Sequence, residues 1–248
     1  MQLQYYISDV DKRVELYIMG IAFIALVLLI ARKNGVKALF ALIVTIAFII
    51  KIFIPAIYSG YSPILFAIIT AVFSSLVTIY FTVGMNKKFV VALLGVTSGV
   101  LIAGILSYIF TYTMRLNGFL DSDLLSCAYL LKKIKIKELI PAGVIIGSLG
   151  AVMDVAVSIT SSINELHEAN PNISKKSMFK SAINIGNDII GTMINTLILA
   201  YIASSIFTLL LIYIQANEYP LIRILNFQDI AVEIMRSICG SIGILIAV

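Results

Sequence analysis

The chain has 248 residues, 60% of them hydrophobic and 12% charged, with a formal net charge of +5 and a mean hydropathy of +1.05. These values exclude a soluble globular domain and point to an all-α, polytopic transmembrane helix bundle. The length accommodates about seven spans of roughly 20 residues, as one transmembrane domain over 1–248. The positive charge lies in short flanks, which excludes a nucleic-acid patch and makes the lipid bilayer the expected surroundings.

Apolar runs are expected at roughly 14–31, 38–57, 63–84, 89–113, 139–161, 188–214 and 230–248. Asp9, Asp11 and Glu15 precede the first run and no small-residue cleavage site follows, so that span is expected to be retained. Arg32, Lys33 and Lys37 crowd one short connection, Lys87 and Lys88 another, and Lys175, Lys176 and Lys180 a third. Under the positive-inside rule these connections face the cytoplasm, which puts the N-terminus outside and the C-terminus inside. Lys132, Lys133, Lys135 and Lys137 run against that orientation. Apolar Leu120, Leu124, Cys127/Ala128 and Leu131 recur at helical spacing and predict an interfacial amphipathic helix over 119–137.

Small and polar residues mark faces for helix packing. Thr70, Ser74, Thr78 and Thr82 form one stripe in the third span, and Gly95, Gly99 and Ala103 form another in the fourth. The fifth carries Gly143, Gly147 and Gly150, and leads into Asp154, Ser158 and Ser161. The sixth begins with Asn184, Asn187, Asp188, Thr192, Asn195 and Thr196.

Ionisable residues inside spans need a separate account. A carboxylate at the bilayer centre costs roughly 2.5–3.5 kcal/mol on insertion scales, and Asp154 is too deep for a short side chain to reach either surface. It must meet a partner charge, a water-filled cavity or a proton. Lys51 is close enough to a helix end to snorkel. Asp188 is open to two readings, a solvated first-turn carboxylate or part of an intramembrane site. Glu233 and Arg236, at i and i+3, can pair on one helix face. Arg236 is also the candidate counter-charge for Asp154 if the last span packs on the fifth. His167, between Glu165 and Glu168, reads as a solvated helix end, and Cys127 and Cys239 as packing residues. No metal-ligand spacing, cofactor motif or nucleophile–base pattern is present, so neither metal, cofactor nor enzymatic activity is expected.

The run Pro141-Ala-Gly-Val-Ile-Ile-Gly-Ser-Leu-Gly-Ala-Val-Met-Asp154-Val-Ala-Val-Ser158, followed by Asn184-Ile-Gly-Asn-Asp188, resembles the YibE/F family of bacterial multi-spanning membrane proteins. Gly150-Ala-Val-Met-Asp154-Val-Ala-Val is also remotely similar to the acidic helix of RND exporters, whose aspartates relay protons. The polar helix after it resembles the next helix of RND proteins and of SecD/SecF. Val155 stands at the second acidic position, so the resemblance implies a relay with one aspartate. It also implies that the C-terminal part, from about residue 63, forms one RND-like half. That half needs a second one, either another copy of the chain or a larger YibE-type partner with an extracytoplasmic domain.

The leading expectation is therefore an RND-like transport subunit in the bacterial cytoplasmic membrane, coupled to proton movement through Asp154, with Asp188 and Arg236 assisting. Ser158, Asn187, Thr192, Asn195 and Thr196 would supply the polar surround. The alternative is a non-transporting scaffold for such a partner, with Asp154 a structural hydrogen bond.

Overall fold

The computed structural model describes residues 12–117, 133–215 and 226–248, and every described element is helical. They are α1 (Arg13–Phe48), a π turn (Ile49–Phe53), α2 (Ile54–Tyr58), α3 (Pro63–Val83), α4 (Lys87–Thr113), α5 (Ile136–Ala169), α6 (Lys175–Ser204), α7 (Ile206–Gln215) and α8 (Gln228–Ala247). Six helical runs among the described residues are long and apolar enough to cross a membrane. The protein is a multi-pass, all-α membrane bundle.

The helices depart from the expected spans in two places, α5 and α6. The runs expected at 14–31 and 38–57 belong to one helical stretch, Arg13–Tyr58. Straight, it would extend about 69 Å at 1.5 Å per residue, more than twice the hydrocarbon thickness. Arg32 breaks it, with left-handed φ 47° and ψ −124°. Beyond the break, a Cβ on Gly35 would come within 2.7 Å of the Val27 carbonyl oxygen, so the chain folds back on itself there. The two arms on either side of Arg32 are the two spans expected there, joined by a tight turn. The fifth helix runs 136–169 instead of 139–161, and the sixth starts at Lys175, well before 188, and breaks at Ser205. Hydropathy registers only the hydrocarbon layer, whereas a helix continues on polar residues for as long as its hydrogen bonds close. Ser174 caps the early start of α6 by accepting from Ser177 N–H at 3.2 Å. At the break, the hydroxyls of Ser204 and Ser205 both donate to the Tyr201 carbonyl and compete for an acceptor the helix would use.

The π turn has a cause in the sequence. Pro55 has no N–H for the Lys51 carbonyl and its ring crowds that oxygen, so the turn before it widens. Of the expected interfacial helix 119–137, residues 119–132 lie outside the described residues, and 136–137 already belong to α5.

Helix α5 is the centre of the bundle and packs on α3, α4, α6 and α8. Its buried Ile145, Leu149, Val152, Val155 and Ile159 meet Ala67, Ala71 and Ile79 of α3 and Val96 and Val100 of α4. A second cluster joins Ala103, Ile140, Val144, Val232, Met235 and Cys239. The second arm of α1 lies against α3, where Thr45 and Ser74 hydroxyls hydrogen-bond at 3.0 Å and Phe48 stacks on Phe73. Most of the first arm's large side chains are left uncovered, as a lipid-facing helix requires.

One end of the bundle gathers Ser62, which donates to Glu138, Gly60 beside Lys133, and the Asn117 N–H bonded to Gln228. The other end gathers Lys88, Asn164, His167, Met178 and Val248 around one groove. Phe40 meets Phe81 edge to face toward this second end, just past the basic turn at Arg32–Lys37. The three basic connections thus share an end.

Candidate functional site

Asp154 stands 18 residues after Ile136, about 27 Å along α5 at 1.5 Å per residue, close to halfway. Its neighbours Val152, Met153, Val155 and Ala156 are buried among α3 and α4. The 100° turn per residue therefore carries Asp154 to the opposite side, where the rest of the chain leaves it uncovered. Gly147, Gly150 and Ser158 are exposed on the same side. Among the described residues Asp154 has neither a hydrogen bond nor an ion pair.

Helix α6, which packs on α5, carries an uncovered polar surface of its own. It buries Gly186 and Leu197 and exposes Asn184, Asn187, Asp188, Gly191, Thr192, Asn195 and Thr196. Gly186 is where α6 presses closest, since a Cβ there would collide with the Val248 side chain. Two hydroxyls of the face are satisfied within the helix, Thr192 donating to the Ile189 carbonyl at 2.8 Å and Thr196 to the Thr192 carbonyl at 2.9 Å. Asp188 lies 13 residues after the helix start at Lys175, so it is not a first-turn carboxylate.

The structure brings Arg236 elsewhere. Its Nη1 donates to Glu233 Oε1 at 3.0 Å, the i, i+3 pair expected from the spacing. Its guanidinium lies 5.8 Å from the centre of the Tyr201 ring. Helix α8 does pack on α5, but Arg236 meets it beside Gly143, where a Cβ would stand 3.7 Å from Nη2. Gly143 precedes Asp154 by 11 residues, about 16 Å along the helix. Arg236 therefore does not reach Asp154 within this chain. Tyr201 is the member of the Arg236 group that sequence reasoning missed. Its only signal is a single tyrosine near the end of α6, and its role depends on three helices crossing.

The glycines divide into three kinds. Gly95 and Gly99 set the crossing of α4 on α8, where a Cβ at Gly99 would strike the Gly243 carbonyl oxygen and come within 2.9 Å of Val152 Cγ1. Gly147 makes room for the Tyr201 hydroxyl, 2.8 Å from where a Cβ would lie. Gly150, on the Asp154 face, meets nothing within 4 Å, and neither does Gly191 of α6. His167 is exposed in the last turn of α5, and among the described residues no group of His, Cys, Asp and Glu is arranged to hold a metal ion.

The arrangement pairs two different features. One is the uncovered polar surface on α5 and on α6, acidic and open in the middle of the bundle. The other is a charged, largely enclosed cluster of Tyr201, Glu233 and Arg236 nearer one end. Residues 19–248 match the family model described as YibE/F-like protein, and no curated protein and no solved structure matches the chain.

Proposed function

The chain belongs to the YibE/F-like protein family, and from that premise we propose that it is a transport subunit of RND-like mechanism. Asp154 carries a proton at an interface with a second transmembrane half. The observation that supports this reading is the uncovered carboxylate halfway along α5, unpaired among the described residues, next to a helix, α6, that exposes Asn187, Asp188, Thr192, Asn195 and Thr196. Facing lipid, an ionised carboxylate at that depth costs roughly 2.5–3.5 kcal/mol. A protein surface laid over the face removes that exposure, and the open Gly150 and Gly191 let its backbone approach closely. The covering half is a second copy of the chain or a larger YibE-type partner.

Each elementary charge that crosses 100 mV releases about 2.3 kcal/mol. That is enough to bias a two-state element whose conformations differ in how well they hold a protonated Asp154. Ser158, Thr192 and the asparagines supply hydrogen-bonding groups around the carboxyl. The subunit lies in the bacterial cytoplasmic membrane with its three basic connections toward the cytoplasm.

The test uses inverted native membrane vesicles carrying the full chain, with an imposed pH gradient followed by an acidotropic dye. Asp154→Asn should insert normally and slow the gradient's collapse relative to the native chain, while Asp154→Glu should retain part of the flux. If Asp154→Asn and the native chain dissipate the gradient equally, the carrier role is wrong and a scaffold with a structural aspartate takes its place.

A further inference from the structure

Two opposite charges stand inside membrane-crossing helices with no partner among the described residues. Asp154 is one. Lys51 is the other, exposed in the π turn of the second arm of α1, with no hydrogen bond, ion pair or ring contact there. Arg236, the remaining described cation well inside a span, is held by Glu233. An ionised lysine in the hydrocarbon layer is as costly as an ionised carboxylate. Snorkelling is a poor escape for Lys51. The nearer surface lies past Tyr58, seven residues on and about 10 Å along the helix. Side chains lean toward the N-terminus of their helix, and for this arm that is the basic end, away from Tyr58.

The two charges do not meet within one chain. The second arm packs on α3, while α3 and α4 cover the side of α5 opposite Asp154. Their levels in the bundle are nonetheless close. Thr45 bonds Ser74 and Phe48 stacks on Phe73, which sets Lys51 beside about residue 70 of α3. Ala71 and Val72 share a small void with Val100 of α4 and Leu149 of α5. The Cβ positions of Gly99 and Gly95 meet Val152 and Ala156. Lys51 is thus level with about residues 147–150 of α5, roughly 6–10 Å from the level of Asp154 toward the Ser62–Glu138 end. The four-carbon lysine stem spans about 6 Å. It leans toward the basic end, and Asp154 leans toward the N-terminus of α5 at the opposite end, so the two side chains converge.

A second copy in the same membrane has the same orientation, so it presents Lys51 to its neighbour at this level. Asp188 is the other uncovered carboxylate inside a span. It follows Gly186, which meets Ile159, by two residues, and so lies farther from the level of Lys51 than Asp154 does.

We propose that the half covering Asp154 is a second copy of this chain, bound so that Lys51 of one copy pairs with Asp154 of the next. This rests on the reading of Asp154 as an interface residue and names its partner. One contact neutralises both charges, which a partner supplying only a cation would not do. Because the two residues lie on different sides of the chain, the contact is heterologous and repeats from copy to copy, as in a ring.

The test reconstitutes isotopically light and heavy full chains together in liposomes and treats them with a lipid-soluble carbodiimide, which joins a carboxyl directly to an adjacent amine. A Lys51–Asp154 isopeptide linking light to heavy peptides is the expected product. Self-association, read by energy transfer between labelled chains, should weaken at least about ten-fold in Lys51→Glu and in Asp154→Lys, and return when both reversals are combined. That rescue separates loss of the pair from failure to fold. No mixed isopeptide, an isopeptide to Asp188 instead, one confined to single chains, or reversals that do not rescue one another overturns the proposal. The carrier reading fails separately, on the vesicle flux of Asp154→Asn. Slowed flux without a mixed isopeptide keeps the carrier and removes the second copy as its partner. A mixed isopeptide with unchanged flux keeps the contact and removes the carrier.

Discussion

Replacing Gly99 by alanine tests the packing argument at its tightest point. The added methyl group meets the Gly243 carbonyl oxygen of α8 on one side and Val152 Cγ1 of α5, at 2.9 Å, on the other. Ordinary van der Waals contact begins at 3.4 Å, so Val152 must retreat by about 0.5 Å. The Gly243 oxygen is backbone and cannot rotate away, so α4 and α8 must part along their crossing. Overpacking of this kind costs about 1–3 kcal/mol. Alanine recovers about 0.8–1.0 kcal/mol through its better helix propensity. Because the obstruction is backbone, the upper part of the range applies and the net loss should be about 1–2 kcal/mol. Unfolding by sodium dodecyl sulfate, followed by circular dichroism at constant lipid, reads this directly. Gly150→Ala is the internal control, because nothing among the described residues lies within 4 Å of where its Cβ would stand. For the isolated chain it should be neutral or stabilising by up to about 1 kcal/mol. Gly99→Ala as stable as Gly150→Ala would refute the crossing described here.

Two further outcomes are expected from the same assay. Thr45→Val removes the hydrogen bond to Ser74 that joins the second arm of α1 to α3, and should cost about 0.6 kcal/mol, the average for interhelical hydrogen bonds in membranes; no change would mean both hydroxyls find other acceptors. Ser174→Ala removes the cap at the start of α6 and should cost about 1 kcal/mol, with faster amide exchange confined to the first turn after Lys175. Unchanged exchange there would contradict the cap.

The sequence made legible the features that depend on local composition. Apolar windows located the membrane-crossing segments, and the i, i+3 spacing of Glu233 and Arg236 foretold their pair. Asp154 stood out because a lone carboxylate in such a window has no local escape. Helix lengths were not legible, because α5 and α6 continue on polar residues that hydropathy assigns to loops. The fold-back at Arg32 falls in the short basic connection expected between the first two spans. The widened turn before Pro55 had a visible cause in that proline. Tyr201 could not be found locally, since its place over Gly147 and beside Arg236 exists only once α5, α6 and α8 have packed. The same packing carries Arg236 to Gly143, away from Asp154.

The most direct test of Asp154 as a proton carrier is carbodiimide labelling of that residue across pH in native membranes, quantified by mass spectrometry. The reagent attacks protonated carboxyls in apolar surroundings. Labelling that declines through a single titration as pH rises, and that is blocked when the covering half is cross-linked in place at Ser158→Cys, is the predicted result. Labelling that is constant at every pH, or absent throughout while Ser158→Cys remains freely modifiable, would contradict the account: the first indicates a fixed structural proton, the second a permanently ionised group.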